Sequence, residues 1–179
     1  MEVLVKKGIE LTHSEINQVD EAKKREFGAR PLEDRDFGEA VFFLLMEEGK
    51  LFALGGLIVI EPVLFDDEPF SLLGIGGILA NEKGRGYGGQ IVRAVKKYLS
   101  GKGKTGIGFC KVHNRGFYEK YSFSVNEDIV KRFVYLADGE RMTNKTDDLV
   151  LYFDGADHFM KKVLANPRED VLLPRPPDW

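Results

Sequence analysis

A glycine-rich segment between residues 78 and 90 has the residue types and spacing to bind phosphate. It passes from apolar residues through a polar turn at 81–84 into Gly86, Gly88 and Gly89, where a helix begins. Glycines let backbone N–H groups approach a ligand closely, and a helix N-terminus presents amides without intrahelical partners. The segment therefore predicts a site for a phosphate or pyrophosphate group.

Three other interpretations of this region are weaker. The glycines also match the dinucleotide-binding spacing, but no acid follows about 20 residues later, where that motif needs a ribose partner. Lys104 suggests a P-loop lysine, but Tyr98 occupies the position where that motif requires its first glycine. A simple turn needs one or two glycines, whereas this segment carries four.

Charge is distributed unevenly around this segment. Residues 83–111 contain eight basic residues and no acid, and residues 33–68 contain ten acids against two bases. The basic run suits an anionic cofactor, and the acidic run suits a cationic substrate. Ordinary solvated faces would also account for individual charges.

Composition narrows the class of protein. The chain has 179 residues and a formal net charge of only −3, so we expect no nucleic-acid binding. It has one cysteine, Cys110, so we expect no metal site. The longest apolar run, 51–60, is too short to span a bilayer, and no secretory signal is visible at the N-terminus. We therefore expect a cytoplasmic protein that does not bind membranes.

The periodicity of apolar residues predicts the strands and helices that must position the loop. We expect strands at 2–5, 40–47, 51–60, 70–79, 105–110, 129–136 and 148–153, the last two paired, with an acidic loop at 62–69. We expect helices at 13–27, 86–99, 114–120 and 156–164. This order predicts an α/β (α+β) fold with a mixed sheet and flanking helices. We expect one domain over 1–165, with a packed C-terminal tail at 166–179.

Two segments resemble signatures of the GCN5-related N-acetyltransferase superfamily. Residues 83–88, Lys-Gly-Arg-Gly-Tyr-Gly, are similar to its acetyl-CoA pyrophosphate loop, with lysine where arginine or glutamine is usual. Residues 114–123 are similar to its Tyr-Glu-Lys segment, with Ser122 in place of the usual glycine. The resemblance covers roughly residues 2–153. It implies a mostly antiparallel sheet with one splayed strand pair, and an enzyme that uses acetyl-CoA (coenzyme A).

The resemblance also assigns cofactor-binding residues. Pantetheine would pair with the strand before the loop, and backbone amides of the loop would hold the pyrophosphate beside two basic side chains. The residues implied are Gly76, Gly77, Ile78, Lys83, Gly84, Arg85, Gly86, Tyr87, Gly88, Gly89 and Asn114.

For catalysis, the resemblance implies direct attack of an amine on the thioester. Tyr118 corresponds to the tyrosine that donates a proton or hydrogen bond to the departing sulfur, although it could instead be a core aromatic. No carboxylate occurs in the strand residues 74–79, where many members carry a base. Asp36, Glu39, His113 and the carboxylate of Trp179 are the alternatives, and a dedicated base could be absent. Cys110 ends an apolar strand and is read as a small hydrophobe.

The acceptor is the most open point. Length, the polar loop between the last strands and the terminal Asp178-Trp179 resemble the aminoglycoside 2′-N-acetyltransferase branch. That resemblance implies a small-molecule amine, an aminoglycoside or polyamine among the candidates, near Asp36, Glu39 and Trp179. Protein or peptide N-acetylation and a non-catalytic acyl-CoA sensor remain alternative functions. The chain could also form a homodimer.

Overall fold

The computed structural model describes residues 1–29, 31–32, 37–144 and 147–177. Its strands within these residues are β1 (Glu2–Lys7), β2 (Val41–Glu47), β3 (Lys50–Phe65), β4 (Glu68–Ala80), β5 (Gly106–Cys110), β6 (Ser124–Asn126), β7 (Phe133–Ala137), β8 (Glu140–Thr143), β9 (Leu149–Phe153) and β10 (Val171–Leu173). Its helices are α1 (His13–Phe27), α2 (Tyr87–Lys102), α3 (Arg115–Lys120) and α4 (Phe159–Ala165). The chain packs as two compact units, 1–58 with 76–97, and 59–75 with the described residues from 98 onwards.

In the first unit, α1 packs its apolar stripe on the sheet. A capping box starts the helix, because Thr12 and Glu15 each accept a hydrogen bond from the other's backbone N–H. Gly28, at φ 64°, ends it in the left-handed conformation that favours glycine. Buried Val19 and Ala22 then join a core cluster with residues of β2, β3 and β4.

The helix that follows the glycine loop packs on the opposite face of β3. Leu54 belongs to the α1 cluster, and successive side chains on a strand point to opposite faces. A Cβ on the next residue, Gly55, would lie 2.5 Å from Cδ1 of Ile78 and 2.6 Å from Cγ2 of Ile91 in α2. Glycine at this position therefore lets α2 lie close against β3.

In the second unit, several strand pairings join segments distant in sequence. β5 is antiparallel to β9, which in turn pairs with β6. β10 lies between β3 and β7, parallel to β7 and antiparallel to β3. The expected tail at 166–179 thus includes a strand whose residues Val171 and Leu173 are buried.

β4 and β5 are parallel neighbours that pair over a short stretch of the described residues. Their two register pairs are Leu73↔Gly106 and Gly74↔Ile107. β4 continues to Ala80 beyond the last of them. The backbone of residues 76–80 is the segment that leads into the glycine loop.

Two expectations about the sheet were wrong. The acidic loop expected at 62–69 is a tight hairpin, because Asp66 and Asp67 both adopt left-handed conformations (φ 54° and 58°) that let β3 run directly into β4. The expected pairing of 129–136 with 148–153 does not occur among the described residues. Instead β7 pairs with β8 across a turn in which Asp138 and Gly139 also have positive φ.

Candidate functional site

The glycine loop has the backbone geometry that its composition predicts. Gly84 and Gly86 both have φ 78°, and a Cβ on either residue would meet no atom within 4 Å. The N–H of Gln90 donates to the carbonyl of Gly86 at 3.3 Å, so the helix begins directly after the loop. Because an α-helix leaves its first amides without intrahelical acceptors, open space and unused donors coincide here.

Both basic side chains of the loop are exposed and lie beside carboxylates. Lys83 Nζ is 2.6 Å from Oε1 of Glu26, and Arg85 Nε is 3.6 Å from Oε2 of Glu82. Exposed ion pairs of this kind contribute little free energy, typically below about 1 kcal/mol. An anionic ligand could therefore compete for both cations at low cost.

Asn81 anchors the start of the loop, a role that the sequence analysis missed. Its N–H donates to the carbonyl of Phe52 (2.8 Å), and its Nδ2 donates to the carbonyl of Leu51 (2.7 Å). Its Oδ1 accepts from Arg25 Nη2 at 2.6 Å. The residue thus ties the loop to both β3 and α1, and no local sequence signal marks these long-range partners.

The predicted pantetheine edge contains a backbone irregularity. Gly77 has φ 63° within β4, a conformation that interrupts regular strand geometry and re-aims the neighbouring peptide groups. A Cβ there would lie 3.5 Å from Cε and 3.7 Å from Nζ of Lys23, and 3.8 Å from Cδ1 of Leu54. The Cβ position of Gly77 therefore faces Lys23 of α1 at contact distance, while the next residue, Ile78, packs towards α2.

The second motif places Tyr118 on α3, in the second unit. The phenol is 8% exposed, and its ring lies edge-on to Phe117 with centroids 5.1 Å apart. Burial, and then the nearby Cys110 thiol, raises the pKa of Tyr118 above its usual value. Ser122 follows the helix at φ 61°, in the left-handed conformation that glycine adopts most readily.

Asn114 and Cys110 both lie close to α3 in sequence, and the structure gives each a local environment. Asn114 precedes α3, and its N–H donates to the Lys111 carbonyl at 2.9 Å. Burial raises the pKa of the Cys110 thiol to about 11, with a further contribution from the carboxylates of Asp147 and Asp148, so it is protonated at neutral pH. This agrees with the interpretation of Cys110 as a small hydrophobe.

Of the predicted acceptor residues, the structure describes only Glu39. Glu39 Oε2 accepts from Lys7 Nζ at 2.8 Å, and both side chains are exposed. Asp36 and Trp179 lie outside the described residues. Other acids of the 33–68 run stand on separate elements, with Glu47 in β2 and Asp66 in the β3–β4 turn.

The described ranges contain no group of three or more His, Cys, Asp or Glu side chains that could hold a metal ion. None of the helices there combines the length and hydropathy needed to cross a bilayer.

Comparison with known proteins identifies the fold. The sequence matches no protein-family model and no curated protein. An acyl-CoA N-acyltransferase from Pseudomonas aeruginosa has a similar structure, with a TM-score of 0.59 and 17% identity over 85% of this chain and 97% of that one. ElaA from Escherichia coli has a TM-score of 0.61 and 14% identity over 86% of this chain and 100% of that one. The N-acetyltransferase YlbP from Bacillus subtilis, solved with coenzyme A, has a TM-score of 0.51 and 15% identity over 86% and 97% of the two chains.

These similarities show a shared fold. The predicted class, a mixed α+β sheet with flanking helices, is confirmed. The closer resemblance to the aminoglycoside 2′-N-acetyltransferase branch stays a prediction.

Proposed function

We propose that this chain, whose fold is that of the GCN5-related N-acetyltransferases, transfers an acetyl group from acetyl-CoA to the primary amine of a small acceptor. The observation that carries the proposal is the glycine loop at the start of α2, directly after the irregular strand segment at Gly77. Coenzyme A would need backbone amides for its diphosphate and a strand backbone for its pantetheine arm, and the loop and residues 76–78 would supply them in succession along the chain.

The loop residues fit the cofactor. Absence of side chains at Gly84 and Gly86 leaves room for phosphate oxygens to approach the backbone, as the free space around both Cβ positions indicates. Amides of residues 85–89 would donate to the pyrophosphate, and Lys83 and Arg85 would exchange their exposed carboxylate partners for it. The thiol arm would pair with the backbone of 76–78.

Acetyl-CoA supplies an activated thioester carbonyl. The acceptor nitrogen forms a bond to that carbonyl carbon, the carbon–sulfur bond breaks, and the proton lost by the nitrogen ends on sulfur. The charge that develops on the carbonyl oxygen needs a fixed donor. A backbone amide at Gly77, re-aimed by its positive φ, is the donor we propose.

The role we assign to Tyr118 is hydrogen bonding to the departing sulfur. The assignment rests on the motif at 114–123, and the raised pKa refines it. An ordinary thiol has a pKa of about 8.5, so transfer of the phenolic proton to a thiolate would be unfavourable. Tyr118 therefore stays protonated and stabilises the thiolate by donating a hydrogen bond.

No dedicated base is assigned. Residues 74–79 of β4 carry no carboxylate, and Glu39 is exposed and paired with Lys7. Transfer of the acceptor amine from water to a less polar site disfavours its charged form. The same missing carboxylate favours the second candidate function, an acyl-CoA-binding sensor without catalysis.

Calorimetric titration with coenzyme A, followed by acetyl-transfer assays over a panel of amines, tests the proposal. We expect Tyr118→Phe to bind coenzyme A like the wild type and to lower kcat by about tenfold to a hundredfold. Tyr121→Phe, three residues away, is the matched control and should keep its activity. An unchanged rate in Tyr118→Phe would remove this tyrosine from the mechanism, binding without turnover of any amine would favour the sensor, and no binding would refute both functions.

A further inference from the structure

One residue of β3, Phe52, contacts both ends of the glycine loop. Its carbonyl accepts from the N–H of Asn81 at 2.8 Å, where the loop begins. Its ring packs edge-on against Tyr87, the first residue of α2, with centroids 5.5 Å apart. Residues 82–86 therefore run between two points that are held on the same strand residue.

The side chain of Asn81 adds two hydrogen bonds at the start of the loop. Its Nδ2 donates to the carbonyl of Leu51 (2.7 Å), and its Oδ1 accepts from Nη2 of Arg25 (2.6 Å). A carboxamide carries a donor and an acceptor on one short side chain, which this pair of partners requires. Asn81 and Arg25 are both exposed, so these bonds fix the position of the loop rather than fill a core.

The loop depends on such contacts because its glycines give the backbone little stiffness. Gly84 and Gly86 adopt φ 78°, and glycine has more backbone conformations to lose on ordering than any other residue. The ion pairs of Lys83 and Arg85 are exposed and contribute little free energy. The direction of the amides that follow is therefore set chiefly by how the two ends of the loop are held.

We propose that Asn81, supported by Arg25, is a positioning residue that fixes the amides of 85–89 in the geometry a diphosphate needs. It would thereby determine the preference of the enzyme for coenzyme A thioesters over pantetheine thioesters that lack phosphate. The inference rests on the proposed function, in which the loop binds the pyrophosphate. Asn81 acts through the loop backbone, and a loop that is already ordered loses less conformational entropy when the cofactor binds.

The test compares three acetyl donors that share the same thioester. Acetyl-coenzyme A carries the pyrophosphate and the 3′-phosphate, acetyl-dephospho-coenzyme A carries only the pyrophosphate, and S-acetylpantetheine carries neither. The quantity measured is the ratio of kcat/KM for each phosphorylated donor to that for S-acetylpantetheine. A general loss of folded protein lowers both values equally and cancels in the ratio.

The variants are Asn81→Ala, Arg25→Met and the double variant, with Gln18→Ala as the matched control. Gln18 is also a carboxamide that holds the β2–β3 hairpin, since its Oε1 accepts from the N–H of Leu51 (2.8 Å) and its Nε2 donates to the carbonyl of Gly49 (2.9 Å). Its contacts do not include the loop. It therefore reports what a similar loss of hydrogen bonds to the hairpin does by itself.

We expect the ratio to fall by about tenfold to a hundredfold in Asn81→Ala, with the same fall for both phosphorylated donors, because a small misplacement of binding groups has effects of this size. The fall should appear in KM rather than kcat. Gln18→Ala should keep the ratio of the wild type. Arg25→Met should show a smaller fall, and the double variant should fall no further than Asn81→Ala, because coupled contacts are not additive.

The outcomes separate this inference from the proposed function. Equal ratios in the wild type and Asn81→Ala, or an equal fall in Gln18→Ala, would overturn the role of Asn81 and leave the acetyltransferase standing. Additive effects in the double variant would overturn the supporting role of Arg25. If coenzyme A binds but no amine is acetylated, calorimetry with coenzyme A decides, and an unchanged affinity in Asn81→Ala overturns the inference. Failure of the wild type to bind coenzyme A would overturn both.

Discussion

Substitution of Gly86 by alanine separates a binding role of the loop from a purely structural one. Gly86 has φ 78°, a conformation that costs an L-residue roughly 1–2 kcal/mol relative to glycine. A Cβ there meets no atom of the protein within 4 Å, so no steric term adds to this cost. For a chain of this length, the loss corresponds to a decrease of about 2–8 °C in melting temperature.

Gly139 supplies a matched control. It has φ 80° in the β7–β8 turn, and a Cβ there also meets nothing within 4 Å. The backbone cost of Gly139→Ala should therefore equal that of Gly86→Ala. Any difference between the two variants in ligand binding then reports the loop itself rather than general destabilisation.

The expected difference lies in affinity for coenzyme A. A phosphate oxygen approaches a backbone nitrogen to about 2.9 Å, and a methyl group on Gly86 would occupy part of that approach. Loss of one charge-assisted hydrogen bond, about 1.5–3 kcal/mol, would weaken binding by at least about tenfold. Differential scanning calorimetry measures the melting temperatures, and isothermal titration measures the affinities.

The reasoning fails if Gly86→Ala binds coenzyme A as tightly as the wild type while both variants lose similar stability. The loop would then be a turn whose glycines serve only the backbone. Equal loss of binding in Gly139→Ala would instead indicate that a small destabilisation alone abolishes binding, and the comparison would no longer support a cradle.

Two further predictions concern stability. The one hydroxyl proton of fully buried Thr105 is shared between the carboxylates of Asp154 and Asp157, and the hydroxyl oxygen accepts from the N–H of Gly155. Thr105→Val should therefore lower the free energy of unfolding by about 1–3 kcal/mol in chemical denaturation, whereas Thr105→Ser should lose less. Equal losses would contradict a role for the hydroxyl. Burial raises the pKa of Glu15, but hydrogen bonds from Lys6 and from the Thr12 N–H outweigh it and leave the pKa below 4.5. Ionised Glu15 stabilises the fold at pH values above its pKa in the unfolded state, and this contribution is lost as the pH falls through its lower pKa in the folded state. The free energy of unfolding of the wild type should therefore exceed that of Glu15→Gln by less and less as the pH falls below 4.5. If this difference instead grew on acidification, the pKa of Glu15 would be shifted in the opposite direction.

Local sequence patterns predicted the elements that depend on near neighbours. The helix expected at 13–27 is α1, and its capping box and terminal glycine are signals readable within a few residues. The glycine loop and the start of α2 were also predicted to within one residue. Each of these features depends on backbone conformation and on contacts three or four residues apart.

Strand partners and the surroundings of the candidate site could not be predicted in this way. β7 and β9 looked like partners because they follow one another, yet β7 pairs with β8 and β10 while β9 pairs with β5 and β6. Short strands such as β10 have too few residues for a periodic pattern, and their position depends on edges supplied by distant segments.

By itself, the sequence determined the backbone conformation of the loop, because glycine spacing and a helix start are local properties of the chain. Only the tertiary structure decided which side chains surround the loop and the strand before it. Asn81 reaches β3 and α1, and Lys23 of α1 lies over Gly77 of β4 across more than 50 positions of sequence. Such contacts depend on how helices pack on the sheet, and packing responds to the summed burial of many side chains rather than to any short motif.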